Sequence, residues 1–554
     1  MIKYYSLGGQ DERFRYCGVL ECGGEILLLN AGGSCVNTNL YDIEEIIPDY
    51  QFLTTSARKL KGLFISSPRP LNISSIPYLL ELFPNLPIYT NSFGKSIIES
   101  FLREFESKSN KKVNANIIPL DLVSEHTISG DCKAIPIKVA SSLPHSLAWA
   151  FKFSQSDYVV FVDEFLIASE NIPCRESQLD WLYKNLKGKI SLLIVGMQSC
   201  STVSSFALKQ ADNFSFLKKL VSRITTRLII ASYSDSWDTL FNMSKIAHIY
   251  KYQLAIYPNE LATLFNSFIT QNKLENHSLA IKVSELSSAP DKPQLVVITG
   301  DHNTLYSNLR EIHRGSVKNF SLKQDDVIMF MTHTYIEREI EEISIINELA
   351  DNGGEVLKQP NTLQPYLAGA EDIMLLINCL SPFHVVPVNG FYKDYVAFLK
   401  ALENVMNTQK VYFLENGQLI TINRKNIDIT DQAVSETYIG KQSSLELNKM
   451  TLFEKRLLSQ SGVVLVTLRN NTKKNGIKVP HIELLNVFAN DFQKTEEVIS
   501  KIRYQLNIDI SKYLQHNLEI DNKTLKQAVR KSIYNTLDSY LHKKPAVLSV
   551  ISHI

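Results

Sequence analysis

No two cysteines in this 554-residue sequence form a Cys-x-x-Cys pair, and the seven present (Cys17, Cys22, Cys35, Cys132, Cys174, Cys200 and Cys379) are odd in number. That argues against a disulfide framework and against a thiolate zinc site, and it fits a reducing cytoplasm. No apolar run approaches the ~18 residues that would span a bilayer. The opening MIKYYSLGGQDERF has neither the apolar stretch of a signal peptide nor an Arg-rich amphipathic helix. A cytoplasmic protein without a membrane partner is expected. Net charge is also lacking: 58 Lys and Arg against 57 Asp and Glu leave +1, which excludes a generally polycationic nucleic-acid coat. There is no HExxH, GxSxG, P-loop or GxGxxG, and no internal repeat or low-complexity tract.

What is present is a 44% apolar, 10% aromatic chain, enough for several hydrophobic cores and about three domains at ~150 residues each. The near-zero charge conceals an asymmetry. From Thr451 onward there are 16 Lys and Arg against 9 Asp and Glu, a net of +7, so the first 450 residues carry −6. A basic C-terminal module on a mildly acidic body suggests one face for an anionic partner.

Alternating apolar runs and amphipathic stretches predict an α/β class. Two runs split by Gly23-Gly24 read as a hairpin over 17–29. Strands are expected at 61–66, 86–89, 158–162 and 191–195, with helices at 73–83 and 94–105. From 200 to 364 the alternation is cleaner, with strands at 227–231, 294–299 and 326–331 and helices at 236–250 and 337–352, as in a doubly wound sheet. Strands at 385–388 and 411–414 flank a helix over 392–406, and the polar stretch 423–449 reads as linker. The end predicts a strand pair, 462–469 and 478–488, then helices at 496–504 and 522–541.

The segment Leu380 to Leu419, with Pro387-Val388-Asn389-Gly390 followed by a helix and Leu414-Glu415-Asn416-Gly417, resembles the ribonuclease J family. So do Ser6-Leu7-Gly8-Gly9, Thr299-Gly300 and the closing Lys544-Pro545-Ala546-Val547-Leu548-Ser549-Val550-Ile551. The resemblance covers nearly the whole chain. It implies a metallo-β-lactamase αββα sandwich over 1–199 and 366–430, an inserted β-CASP domain over 200–365, a linker over 431–449 and a small C-terminal α/β domain over 450–554.

The family's active members hold two divalent metals, Zn or Mn, through an HxHxDH run after a short strand, where imidazoles and carboxylates converge on one point. Here that run is Ser66-Ser67-Pro68-Arg69-Pro70-Leu71-Asn72, with the register fixed downstream by Ile76-Pro77-Tyr78-Leu79-Leu80. The ligand positions become Ser67, Arg69, Leu71 and Asn72. The remaining ones become Asn30, Ser141, Leu363, Leu367 and Asn389, and the Asp of a Ser-Asp-Ser motif falls near Gly196. Asp163 alone survives as a carboxylate. One carboxylate cannot hold two metals, and Arg69 adds a permanent positive charge, so neither a metal cofactor nor catalysis by the family mechanism is expected. Arg69 is expected to pair with Asp163 across the emptied site. Asp163-Glu164 is discounted as an acid/base pair because neighbours on a strand point to opposite faces. His145 is the best substitute ligand, set against a loop-packing role.

The resemblance also implies RNA threading between the first two domains, gripped through phosphates. Gly300, His302, Thr332 and His333 stand at that surface, with His302 and His333 set against ordinary polar loop residues, and Lys526, Arg530 and Lys531, set against a merely solvated face, lie off the apolar stripe Leu525, Val529, Ile533, Leu537 and Leu541. That stripe is expected to serve partly as an assembly interface. Three readings follow. The first is an inactive ribonuclease J-like subunit of an RNA processing or decay complex, assembled with an active ribonuclease J homologue as hetero-oligomer partner. The second is a residual or rewired 5′-3′ exo- or endoribonuclease. The third is an assembly scaffold without RNA contact.

Overall fold

The computed structural model describes residues 1–35, 43–130, 132–153, 158–167, 176–202, 213–287, 292–351, 354–360, 368–403, 407, 410–423, 426–440, 446–447, 458, 462–471, 476–488, 492–516, 522–538, 540 and 545–553. They form a mixed α/β protein. Two mixed sheets lie face to face in its first part. One runs Asn426–Asp431, Gln418–Asn423, Ile2–Gly8, Cys17–Cys22, Glu25–Leu29, Leu60–Phe64, Pro87–Thr90, Asn116–Pro119. The other runs Val385–Val388, Ile190–Gly196, Tyr158–Val162, Ser146–Lys152, Cys132–Val139, His126–Ser129.

Strand periodicity explains the layering. In Tyr158–Val162 the side chains of Val159 and Phe161 enter the space between the sheets, where they meet Phe64, Trp149, Leu192 and Ile194. Tyr158, Val160 and Val162 point the other way, onto Leu182, Ile373, Leu376 and Phe398 of the outer helices. A strand apolar on both faces is what a central strand covered on both sides requires. The first sheet is backed likewise by Leu53, Ile76, Leu79, Ile98 and Leu102. Helices therefore cover both outer faces of a two-sheet sandwich.

A third sheet is wholly parallel in the order Gln253–Tyr257, Gln294–Gly300, Arg227–Tyr233, Asp326–Phe330, Glu355–Lys358. Helices Trp237–Tyr250 and Asn259–Gln271 cover one face and Leu305–His313 and Glu339–Asp351 the other, matching the doubly wound expectation. Three expectations need correction. The strand at 411–414 reduces to an isolated bridge from Val411 to Val385. The long strands Cys132–Val139 and Ser146–Lys152 were not anticipated. Within the polar stretch 423–449 that reads as linker, Asn426–Asp431 is a strand antiparallel to Gln418–Asn423 and Glu436–Gly440 one antiparallel to Ile43–Pro48.

Glu446–Ile554 forms a unit of its own, separate from the body that runs to Leu445. Its central strand Val463–Asn471 lies between Gly476–Leu485 and Ala546–His553. Leu525, Val529, Ile533 and Leu537 pack on that sheet, in this unit's own core. These four members of the stripe are thus not an assembly face, because they are already buried; Leu541 lies outside the described residues. No helix among the described residues is long and apolar enough to cross a membrane.

Candidate functional site

The topology brings the carboxyl ends of parallel strands together. In the second sheet Val162 pairs with Val195 and Gly196 with Val388; in the first, Leu29 pairs with Phe64. The residues just beyond are Asp163, Met197, Asn389, Asn30 and Ser66. In the all-parallel sheet, the segments that leave the same edge carry Asp235, His302, Thr332 and His333. Loops at carboxyl edges are where α/β sheets place polar groups.

Asp163 sits at the centre, 2% exposed. Its Oδ2 accepts from Asn30 Nδ2 at 2.9 Å, Asn72 Nδ2 at 3.0 Å and Ser66 Oγ at 3.2 Å, and its Oδ1 accepts from Asn389 Nδ2 at 3.2 Å. Each amide is oriented by a second contact. Asn30 Oδ1 accepts from the Ser66 backbone N–H at 2.9 Å, Asn389 Oδ1 accepts from Phe14 N–H at 2.9 Å, and Asn72 Nδ2 also donates to the Ser67 carbonyl at 3.2 Å. The nitrogen of every one therefore faces Asp163. Asn30 and Asn389 hold φ of 59° and 60°, a left-handed backbone that Asn tolerates better than most residues. Burial raises the Asp163 pKa, while the Asn389 bond, the Arg69 charge and the donors Ser66 and Asn72 oppose the rise.

Arg69 does not pair with Asp163, contrary to expectation. Its Nε donates to Asp235 Oδ2 at 2.8 Å and its Nη1 to Glu164 Oε1, and Ser141 Oγ donates to Glu164 Oε2 at 3.0 Å. The strand ends at Val162, so alternation stops before Asp163-Glu164 and both carboxylates turn into one interior. Burial works against the Arg69 charge, yet Asp235 above all, then Tyr335 and Asp163, hold its pKa above the ordinary guanidinium value. Leu71 is buried among Ile229, Ala231 and Tyr233 of the all-parallel sheet, and Ser67 Oγ meets Ser146 Oγ at 3.2 Å.

These residues do not fit the two metals that the resemblance implies. At three exchanged positions an amide N–H, not an oxygen, faces the surviving carboxylate, and both oxygens of that carboxylate are occupied by donors. A Cβ at Gly196 would collide with the Asp163 carbonyl oxygen, so the backbone leaves no room for the missing Asp. Among the described residues no three His, Cys, Asp or Glu side chains are grouped to hold a metal ion. Leu363 and Leu367 lie outside the described residues. Asp163 is buried, and its two oxygens accept from Asn30, Asn72, Ser66 and Asn389.

His145 packs against the rings of Phe93 and Phe268 at 6.0 and 5.7 Å, and burial lowers its pKa to about 4. This is the loop-packing role. Gly300, His302 and Thr332 are buried and His333 is half-buried. His302 and His333 both contact Tyr335, and burial lowers the pKa of each to about 4. Lys526, Arg530 and Lys531 are exposed on helix Asn522–Leu537. Sequence reasoning missed Ser66 and Asp235 and dismissed Glu164. Asp235 carried a signal, since it lies in Ser234-Asp235-Ser236 directly after an apolar β-branched run.

No family model matches the chain. An uncharacterised protein of Mycoplasma genitalium, MG423, is 27% identical over 571 aligned positions, all of both chains. Ribonuclease J2 of Bacillus subtilis is 20% identical over 560 positions, covering 100% of this chain and 99% of its own length. Among solved structures, a protein of unknown function from Enterococcus faecalis V583 superposes with a TM-score of 0.52 at 13% identity, covering 76% of this chain and 100% of that one. Across the whole of this sequence the chain thus has divergent homologues, at 20% identity, that are named ribonuclease J 2.

Proposed function

We propose that the chain is a catalytically silent ribonuclease J-like subunit of a bacterial RNA processing or decay complex, supporting an active homologue by hetero-oligomerisation and contacting RNA. In this reading the two-sheet sandwich, 1–199 with 366–430, is a metallo-β-lactamase body. The all-parallel sheet within 200–365 is a β-CASP insertion, and 450–554 is the C-terminal α/β domain. The observation that carries the reading is the capture of Asp163 by amides at three exchanged ligand positions, Asn30, Asn72 and Asn389. The well-packed interior around them supports selection for fold and interface, because a decaying relic would lose core periodicity as well.

The test is a nuclease and metal assay on the purified chain. Metal analysis should find no stoichiometric Zn or Mn, and RNA with a 5′-monophosphate should decay no faster with the chain than with its Asp163→Asn variant in Mn²⁺ or Mg²⁺. Turnover that requires Asp163 would overturn the proposal in favour of a residual ribonuclease. Affinity capture of the tagged chain from its own cells should retain a ribonuclease J homologue in near-stoichiometric amount. Capture without that homologue would point to a freestanding scaffold.

A further inference from the structure

Two helices of the C-terminal unit, Phe492–His516 and Asn522–Leu537, pack on its sheet through a shared core. Between them lies a cavity of about 980 Å³. The first helix lines it with Lys501, Gln505 and Asp509, spaced four apart and therefore in one row. Asn535 and, just past the second helix, Tyr540 complete the wall. Part of this lining is already tied. Lys501 Nζ donates to Glu497 Oε1 at 2.7 Å and to Tyr540 Oη, and Gln505 Nε2 donates to Asp509 Oδ1 at 2.9 Å. Two groups are not: the side chains of Asn535 and Tyr504 have no hydrogen-bond partner among the described residues. The Tyr504 ring stands at the cavity 70% exposed. An open aromatic face beside an unspent amide is the combination that stacks and reads an unpaired base.

Charge decides which part of a nucleotide enters. Glu497, Lys501 and Asp509 leave the walls at −1, which disfavours a phosphate. The exposed cations lie outside the walls: Lys531 one turn before Asn535 on the same side of its helix, and Lys512 three residues past Asp509. We infer that this cavity is a base pocket for single-stranded RNA, taking a neutral base inside while the phosphates stay on the cations outside. Tyr504 stacks on the base. The Asn535 amide meets the donor and acceptor edge of adenine, and Asp509 is placed to accept from an exocyclic amino group, which uracil lacks. Adenine is therefore preferred to uracil. The inference rests on the RNA contact proposed above and adds to it a site and a base preference.

The experiment measures binding of the full chain to short oligo(A) and oligo(U) at several salt concentrations. Oligo(A) should bind about fivefold more tightly than oligo(U). Tyr504→Ala should weaken oligo(A) about tenfold, and Asn535→Ala should erase the preference for it. Both side chains are exposed, so neither variant should shift the melting temperature, and neither should change the salt slope. The joint alanine variant of Lys526, Arg530 and Lys531 should do the reverse, making the slope shallower while keeping the preference. Binding that is indifferent to the base, to Tyr504 and to Asn535 overturns this inference and leaves the RNA-contact reading standing. Adenosine monophosphate bound as tightly as oligo(A) overturns RNA as the source of the base. A chain that binds neither oligomer overturns the inference and the RNA contact together.

Discussion

Each end of the all-parallel sheet buries an arginine against carboxylate, but the two ends solve different problems. At the amino ends Arg227 stands opposite Asp326 in register, its Nε donating to Asp326 Oδ1 at 2.7 Å, with Phe320 stacked on the guanidinium and the Ser321 carbonyl taking a further bond at 2.8 Å. At the carboxyl ends Arg69 arrives from another layer and meets Asp235 and Glu164. The first pair fastens neighbouring strands of one sheet. The second joins a loop of the two-sheet sandwich to the carboxyl edge of the all-parallel sheet. The same side chain thus fastens neighbouring strands in one setting and separate sheets in the other.

Removing either arginine breaks the comparison most directly. Arg69→Ala should cost about 3–5 kcal/mol, since it strands several buried carboxylates at once. Arg227→Ala should fall near the lower end of that range, because Asp326 keeps a backbone bond from Lys323 at 2.7 Å. Urea unfolding midpoints measure both. Equal losses would mean that Asp163 is insulated from Arg69 and that the carboxyl-end cluster acts as a simple pair.

Much of this was legible in the sequence. The apolar strand at 158–162 and the doubly wound middle could be read from periodicity, whereas the positions Asn30, Asn72 and Asn389 were singled out only by the resemblance to the ribonuclease J family. The partners of Arg69 could not. Asp235 lies 166 positions away, and no local pattern ties a loop of one sheet to the edge of another. Glu164 was set aside by a strand rule that had already ceased to apply one residue earlier. The strand Cys132–Val139 was hidden because Pro136 argues against a central strand, yet Pro136 sits in register opposite Trp149. The orientation of the asparagine amides was invisible too, because backbone contacts far along the chain decide it.

The donors around Asp163 should matter less than Arg69 but remain measurable. Asn72→Ala removes one bond to a buried carboxylate and should cost about 2 kcal/mol. Histidine burial adds a pH dependence of similar size. The His302 pKa is depressed to about 4, first by burial, below its usual 6.5, so the unfolded chain binds the extra proton first as pH falls. Stability is then complete above pH ~6.5 and declines toward pH 4, by about 2 kcal/mol between pH 7 and pH 5 for this residue. His302→Phe should flatten that decline; an unchanged pH profile would show that the imidazole takes up its proton at the same pH in the folded and unfolded chain.

The smallest effect on stability is expected where the charge is outside. Lys526, Arg530 and Lys531 are exposed on a helix whose opposite side is packed, so their joint replacement by alanine should change unfolding free energy by only about 0.5 kcal/mol. Their contribution would instead appear in RNA affinity. Each cation that neutralises a phosphate releases counter-ions, so a triple variant should bind single-stranded RNA more weakly at low salt and show a salt slope shallower by up to about 2. A slope that stays the same would make this face a solvated one and move any RNA contact elsewhere on the chain. Buried and surface cations would then differ in kind: Arg69 would act through stability at any ionic strength, and the helix face through neither stability nor RNA.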